Sequence, residues 1–408
     1  MKKTILLLST IGLTAGLQAQ TPVTVSISPT YTDQVWYSFQ NGEVGRAPLQ
    51  EWDLAFELTG LTAGVRVNTA KGSVVYETPF TFGTWNQLNA PDEAAWTRID
   101  NAVARWDMGA LNHGNNMDDP DGFNVGWGNY NPVNHQMIGN KVYAVLLPDD
   151  TWKKLRINSV ISGVFSFTYA NLDGTDSHDA SINKANYTGK NFAYWSFGTN
   201  AAMDREPASA NWDLLFTKYT DFVPTPYNVT GVLQNRNVTA LEVDGVPTDQ
   251  ADWWGGEFST DINVIGSDWK RYSGSYVIAP DTTYFVKDRA GSVWKIVFTG
   301  FGGSATGDMN FNQELMSPAA LSEVAVDRTA LQAWPNPVEG GLAQVQLAWP
   351  QAQGMLRVFN AAGRQVAAHQ WNQATGVLAL DVQDLAAGVY TLRFEADKAV
   401  ATGKLVVQ

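Results

Sequence analysis

The chain has 408 residues, of which 44% are hydrophobic, 12% aromatic and only 16% charged. At ~100–200 residues per domain, that is enough apolar material for two or three packed cores. A formal net charge of −13 with no basic stripe argues against nucleic acid as a partner, and the lack of cysteine excludes disulfides, thiolate metal sites and cysteine nucleophiles.

The N-terminus, MKKTILLLSTIGLTAGLQAQ, has a basic start at Lys2 and Lys3, an apolar run from Ile5 to Leu13 and a peptidase-like Leu17-Gln18-Ala19. Residues 1–19 therefore read as a signal peptide, and the run is too short to span a bilayer. No later apolar run approaches ~20 residues, so no transmembrane segment is expected. Without a cysteine at the cleavage site, a lipid-modified anchor is also excluded.

Two segments repeat each other loosely: "WYSFQNGEVGRAPLQEWDLAF" (36–56) and "YWSFGTNAAMDREPASANWDLLF" (194–216). Each alternates aromatic and polar residues, as half-buried strands do, and then reaches Trp-Asp-Leu-X-Phe. Anchors follow in the same order, Trp52, Trp96, Trp127, Tyr143 and Trp152 against Trp212, Trp253, Trp269, Tyr284 and Trp294. Their separations are 44, 31, 16 and 9 in the first copy and 41, 16, 15 and 10 in the second. The excess of the first copy falls between Trp96 and Trp127.

"APDEAAWTRIDNAVARW" (90–106) predicts a helix, with Trp96, Ile99, Val103 and Trp106 on one face and Pro91 in its first turn. "VYAVLLPDDTWKKLRI" and "YFVKDRAGSVWKIVFTGF" both predict strand, tight turn, strand. The expected organisation is a first copy over 20–188, a divergent second copy over 189–316, a linker over 317–332 and a small β-sandwich over 333–408.

That last unit resembles the type A C-terminal sorting domain carried by cargo of the type IX secretion system of Bacteroidota. The resemblance rests on Trp334-Pro335-Asn336-Pro337, "LRVFNAAGRQV", "DLAAGVYTLRF" with Gly388 and Tyr390, and the terminal "KLVV". It implies export through the periplasm, engagement of the type IX machinery, and attachment to surface lipopolysaccharide or release from the cell.

The two copies look like domains of the HmuY-like haem-binding family, secreted haemophores of the same bacterial group. This rests on the aromatic-Ser-Phe and Trp-Asp-Leu-Ala-Phe segments and on the hairpin from Tyr143. The implied fold class is mainly β: two tandem HmuY-like β-domains followed by an Ig-like β-sandwich sorting domain. The implied ligand is haem or another porphyrin, held between loops.

The stretch 110–137 is rich in Gly, Asn and Asp and contains His113 and His135, which are candidate axial ligands. Met117 and Met137 are the alternative ligands, and Trp106, Phe123, Trp127 and Tyr130 are candidate walls of an apolar cleft. The bland alternative is a pair of solvent-facing loop histidines. Asp118, Asp119 and Asp121 offer a loose calcium site, although the regular EF-hand spacing fails, and a solvated turn competes with that reading. Between Tyr194 and Phe311 there is no histidine, so haem is not expected in the second copy. Trp253-Trp254 could stack on a sugar ring or a porphyrin. No hydrolase elbow, zinc-protease pair, phosphate loop or dinucleotide fingerprint is present, and no catalysis is expected. The rival to haem capture is a surface binding or adhesion protein that takes a protein or glycan ligand on the same fold.

Overall fold

The computed structural model describes residues 20–60, 62–119, 122–317, 326–327, 331–347, 354–361, 364–371, 377–396 and 399–408. It forms two compact units that divide between Pro318 and Ala319. Both are built almost wholly of antiparallel strands.

The first unit contains two sandwiches, and their boundaries differ from the expected copies. One sandwich is continuous in sequence. Its large sheet orders strands His178–Asn183, Val164–Asn171, Trp152–Ile161, Lys141–Leu146, Val74–Thr81 and Thr97–Ile99. Its small sheet orders Ala201–Met203, Phe192–Ser196, Leu54–Glu57 and Val65–Val67. Phe56, Val65, Tyr143, Leu155, Phe167 and Trp195 meet in its core.

The other sandwich is discontinuous. Its small sheet orders Pro226–Gln234, Leu214–Phe222, Asp33–Ser38 and Gly42–Pro48. Its large sheet has Thr21–Ser26 on the edge of Asp308–Ser317, followed by Val293–Phe301, Thr283–Lys287 and Thr239–Val243. The N-terminal three strands thus close a sandwich whose remaining strands begin at Leu214. Each aromatic-Ser-Phe hairpin pairs with the Trp-Asp-Leu strand of the other expected copy: Trp195 lies opposite Leu54, and Tyr37 opposite Leu214. The 188/189 boundary is therefore corrected, because a strand finds its partner by register and by buried face, not by nearness in sequence.

Strands Leu54–Glu57 and Phe192–Ser196 are buried at every position, on both faces. One face supplies the sandwich core. The other joins a seam between the sandwiches, where Trp52 Nε1 donates to Gln34 Oε1 at 3.2 Å and Gln34 Nε2 donates to Thr217 Oγ1 at 2.9 Å. Beside them, Trp36, Trp212, Leu215 and Ile262 pack with Trp106. Burying strands on both faces accounts for the long aromatic runs that read as half-buried in the sequence.

The helix expected over 90–106 does not form; its residues make turns and the short strand Thr97–Ile99. Arg66 explains why. Its Nη1 donates to the carbonyls of Arg105 at 2.7 Å and Trp106 at 3.3 Å, and its Nη2 to that of Ala102 at 3.2 Å. These carbonyls are satisfied by one guanidinium instead of by helical N–H groups, and Asn101 exchanges hydrogen bonds with the main chain of Val67. Tertiary partners override the helical period. The two hairpins expected after Tyr143 and Tyr284 are present.

The second unit is a sandwich of a five-stranded and a three-stranded sheet, with Leu331, Val345 and Leu380 facing Leu356, Leu392 and Phe394 in its core. Asn336 ties the motif to the last strand: its Nδ2 donates to the Lys404 carbonyl at 2.7 Å and its Oδ1 accepts from Val406 N at 2.8 Å. Trp334 is half-exposed, and Pro335 and Pro337 are exposed. Gly388 opens the strand carrying Tyr390, whose hydroxyl donates to the Ala386 carbonyl at 2.7 Å. Two strands of this sandwich, Val326–Asp327 and Leu331–Trp334, start inside the stretch expected as a linker.

Candidate functional site

Of the residues expected to clasp haem, Met117, Trp127, Tyr130 and Met137 belong to or pack against one core, while Trp106 lies apart in the seam. His113 is exposed at the end of the short turn Ala110–Asn112, and its Nδ1 lies 2.9 Å from Glu77 Oε2. Glu77 also holds Lys141 at 2.7 Å; although burial works to raise the Glu77 pKa, these two partners bring it below the usual carboxylate range. His135 sits in the turn joining Gly128–Asn131 to Gln136–Gly139, at φ 57°, with its Nδ1 2.6 Å from the Tyr130 hydroxyl. Glu77 lies opposite Tyr143, which lies opposite Leu155, whereas Met137 lies opposite Val160. Five residues of strand separate those positions, about 16 Å at ~3.3 Å per residue. Axial ligation needs both imidazoles on one iron; His113 lies beside Glu77 and His135 beside Tyr130, in two different loops.

Met137 and Trp127 are buried in the core of the continuous sandwich, with Trp127 Nε1 donating to the Ala63 carbonyl at 3.0 Å, and Met117 packs against that core. Phe123 lies beside Tyr130 with the rings tilted, at 6.2 Å between centroids. Trp106 lies elsewhere, in the seam, where its Nε1 donates to the Gln234 carbonyl at 2.7 Å. Asp118 accepts from Arg105 Nη1 at 2.7 Å, Asp119 is an exposed turn residue, and Asp121 lies outside the described residues. Among the described residues no group of three His, Asp or Glu side chains could hold a metal ion. Trp253 and Trp254 are stacked 4.4 Å apart, with Trp254 well exposed.

A cleft with a volume of about 860 Å³ opens along the seam of the first unit. Both sandwiches wall it. The continuous one contributes the loop around Arg105, Trp106 and Asp107, together with Lys190 and Asn191. The discontinuous one contributes Ser209, Asn235 to Asn237, Thr260 and Arg289. Main-chain bonds fix the two walls: Ile262 N donates to the Ala104 carbonyl at 2.9 Å and Ser209 N to the Gly189 carbonyl at 2.7 Å. At its floor, Arg236 Nη2 donates to the fully buried Glu57 at 2.7 Å, and Asn191 Nδ2 donates to Asn235 Oδ1 at 2.8 Å.

Polar and charged side chains make up most of this cleft's lining. Asp107 is gripped by Arg105 at 2.8 and 3.0 Å; burial works to raise its pKa, and the guanidinium outweighs burial and brings it below the ordinary range. The lining contains no His, Met, Tyr or Cys, and so no side chain suited to ligating haem iron. Sequence reasoning reached only Trp106 among these residues. The others come from loops far apart in the chain, and the one local signal is Arg289 in a turn, Asp-Arg-Ala-Gly, whose counterpart in the first hairpin is Pro-Asp-Asp.

Residues 332–408 match the family model described as the secretion system C-terminal sorting domain. The C-terminal unit is thus a type IX secretion sorting domain, and the protein is exported to the cell surface or beyond it. No helix among the described residues is long and apolar enough to cross a membrane. No curated protein matches the chain. Among solved structures, it is similar at 8% identity to a trypsin-activated alpha-2-macroglobulin from Escherichia coli, with a TM-score of 0.19. That match covers 96% of this chain and 35% of the macroglobulin, so the chain spans about a third of that protein's length. A biofilm-associated protein BSP domain (9% identity, 97% and 67% covered, TM-score 0.16) and a Dscam structure (9%, 96% and 100%, 0.16) are similar at the same level. At these TM-scores the likeness carries no argument.

Proposed function

We propose that this exported protein is a non-catalytic binding protein that takes a small polar ligand, of the size of a short saccharide, in the cleft along its seam. The observation that carries this reading is the cleft lining: guanidinium, carboxamide and hydroxyl groups around Trp106, in a volume that suits a bound small molecule. The fixed walls support a preformed site. The ion-paired Asp107 is a poor proton donor, which supports binding over acid–base chemistry.

Haem capture, the function implied by the HmuY-like resemblance, finds less support. Its two histidines sit in different loops, beside Glu77 and Tyr130, and the seam cleft has no His, Met, Tyr or Cys in its lining. Two titrations of the full chain separate the readings. Saturable binding of a saccharide from a panel of neutral and acidic trisaccharides is expected, with no stoichiometric low-spin haemin complex. A one-to-one haemin complex that is lost on combined His113→Ala and His135→Ala substitution would overturn the proposal in favour of the haemophore.

A further inference from the structure

We infer that the cleft is selective for an acidic saccharide, whose carboxylate is received by the side-on edge of Arg289. This rests on the reading of the cleft as the ligand site and names the ligand's class. Four lining side chains are basic, Arg105, Lys190, Arg236 and Arg289, against two acidic ones, Asp107 and Asp261. In a chain with 40 acidic and 27 basic residues, that is a local reversal of sign. Low-dielectric walls focus such a field on an incoming anion.

Three of the four cations already have carboxylates: Arg105 holds Asp107 and Asp118, Lys190 holds Asp204, and Arg236 holds Glu57. Arg289 has none among the described residues. Its Nη1 donates to two neutral oxygens, Ser209 Oγ at 3.2 Å and the Arg236 carbonyl at 2.9 Å. Those bonds orient the guanidinium and leave its Nε and Nη2 without partners among the described residues, and these are the pair of parallel donors that matches a carboxylate. The neighbouring Asp288 does not compete, because its carboxylate accepts from Ala290 N, Ser292 N and Trp294 Nε1 within its own turn. Arg236 Nε is also buried without a partner.

The rest of the lining suits sugar hydroxyls. Thr59, Asn237 and Thr260 are exposed side chains with no hydrogen-bond partner among the described residues. Arg289 also borders a second hollow of about 340 Å³ beside Gln40, Asn41 and Asn211, where the carboxylates of Asp213 and Asp288 favour a neutral sugar unit over a second acidic one. A chain of two or three sugar units therefore has room to run past the guanidinium.

Calorimetric titration of the full chain with trigalacturonate and with neutral galactotriose tests this. Trigalacturonate is expected to bind at least tenfold more tightly at low salt, and to lose that advantage as sodium chloride is raised. Arg289→Gln should remove the advantage of trigalacturonate over galactotriose, whatever it does to the affinity they share; Arg289→Lys, which keeps the charge without the fork, should restore only part of it. Equal affinity for the two sugars, or a preference that survives Arg289→Gln, would overturn the inference and leave the ligand site standing. Failure of every trisaccharide to bind would remove both.

Discussion

Asp53 and Asp213 do the same work at the start of the two sandwiches. Asp53 Oδ2 accepts from Phe197 N at 2.7 Å and Asp213 Oδ2 accepts from Phe39 N at 2.9 Å, while each aspartate's own N–H donates, at 2.8 Å, to the carbonyl of Trp195 or Tyr37. Each carboxylate thus locks the end of an aromatic-Ser-Phe strand against the Trp-Asp-Leu strand beside it. Asn68 and Asn235 repeat the correspondence, donating to the carbonyls of Trp52 and Trp212 at 2.9 and 2.6 Å.

The two aspartates differ in what else they hold. Asp53 also pairs with Lys71 at 2.5 Å, and both side chains are buried. Asp53→Ala would strand that ammonium and should cost about 3–5 kcal/mol. Asp213→Ala removes a charge whose pKa burial has raised, and strands only neutral donors. Its expected cost is about 1–3 kcal/mol. Urea denaturation of both variants, compared at constant m-value, checks the order.

Because one sandwich is continuous and the other is closed by the N-terminal strands, two truncations should behave oppositely. Residues 49–206 contain every strand of the continuous sandwich and should give a cooperative melt. Residues 20–188 carry the N-terminal strands without their partners and lack Phe192–Ser196, and they should be protease-sensitive or aggregate. A cooperative transition from 20–188 alone would contradict the strand pairing.

Glu206 supplies a pH dependence. It is fully buried, accepting from the main-chain N–H of Asn191, from Phe192 N at 2.8 Å and from the Tyr194 hydroxyl at 2.8 Å. Desolvation pushes its pKa up from 4.5 to about 7, against the pull of those donors. A carboxyl raised on folding favours the folded state fully below pH ~4.5 and loses that contribution as pH rises to about 7, by about 3 kcal/mol. Glu206→Gln keeps an acceptor and cannot ionise. Its stability relative to the parent should therefore climb between pH 4.5 and 7 and then level off, as read by chemical denaturation across that range.

Arg66 predicts where the expected helix went. Burial lowers its pKa to about 10, so the guanidinium remains charged near neutrality while it holds the carbonyls of 102–108. Arg66→Lys cannot span them. Amide exchange across Asn101–Met108 should accelerate by at least tenfold, with little change in the large sheet.

Much of the fold was legible because the strands announce themselves locally. The Tyr143 and Tyr284 hairpins followed from alternation and turn chemistry, and the sorting motif from the residues around Asn336. Which strands pair was not legible: the Trp-Asp-Leu segments follow their aromatic hairpins at once in sequence, yet pair with the hairpins more than a hundred residues away. The helical period of 90–106 was real in the sequence and yielded to Arg66, a partner that no local pattern names. The site was least legible of all. His113 and His135 stood out by rarity, and rarity carries no geometry; the cleft is assembled from single residues such as Asn237, Thr260 and Arg289 that mean nothing until the seam brings them together.

The most direct test of the ligand site is to fill it. Ala210 is an exposed residue of the cleft wall, in the short turn Ser209–Asn211. Ala210→Trp places a bulky ring in the cleft without touching either core, so its melting temperature should match the parent. Titrating the saccharide that binds the parent best into Ala210→Trp should show affinity reduced by more than tenfold. Affinity unchanged in a fully folded Ala210→Trp protein would place the ligand elsewhere and contradict the cleft as the site.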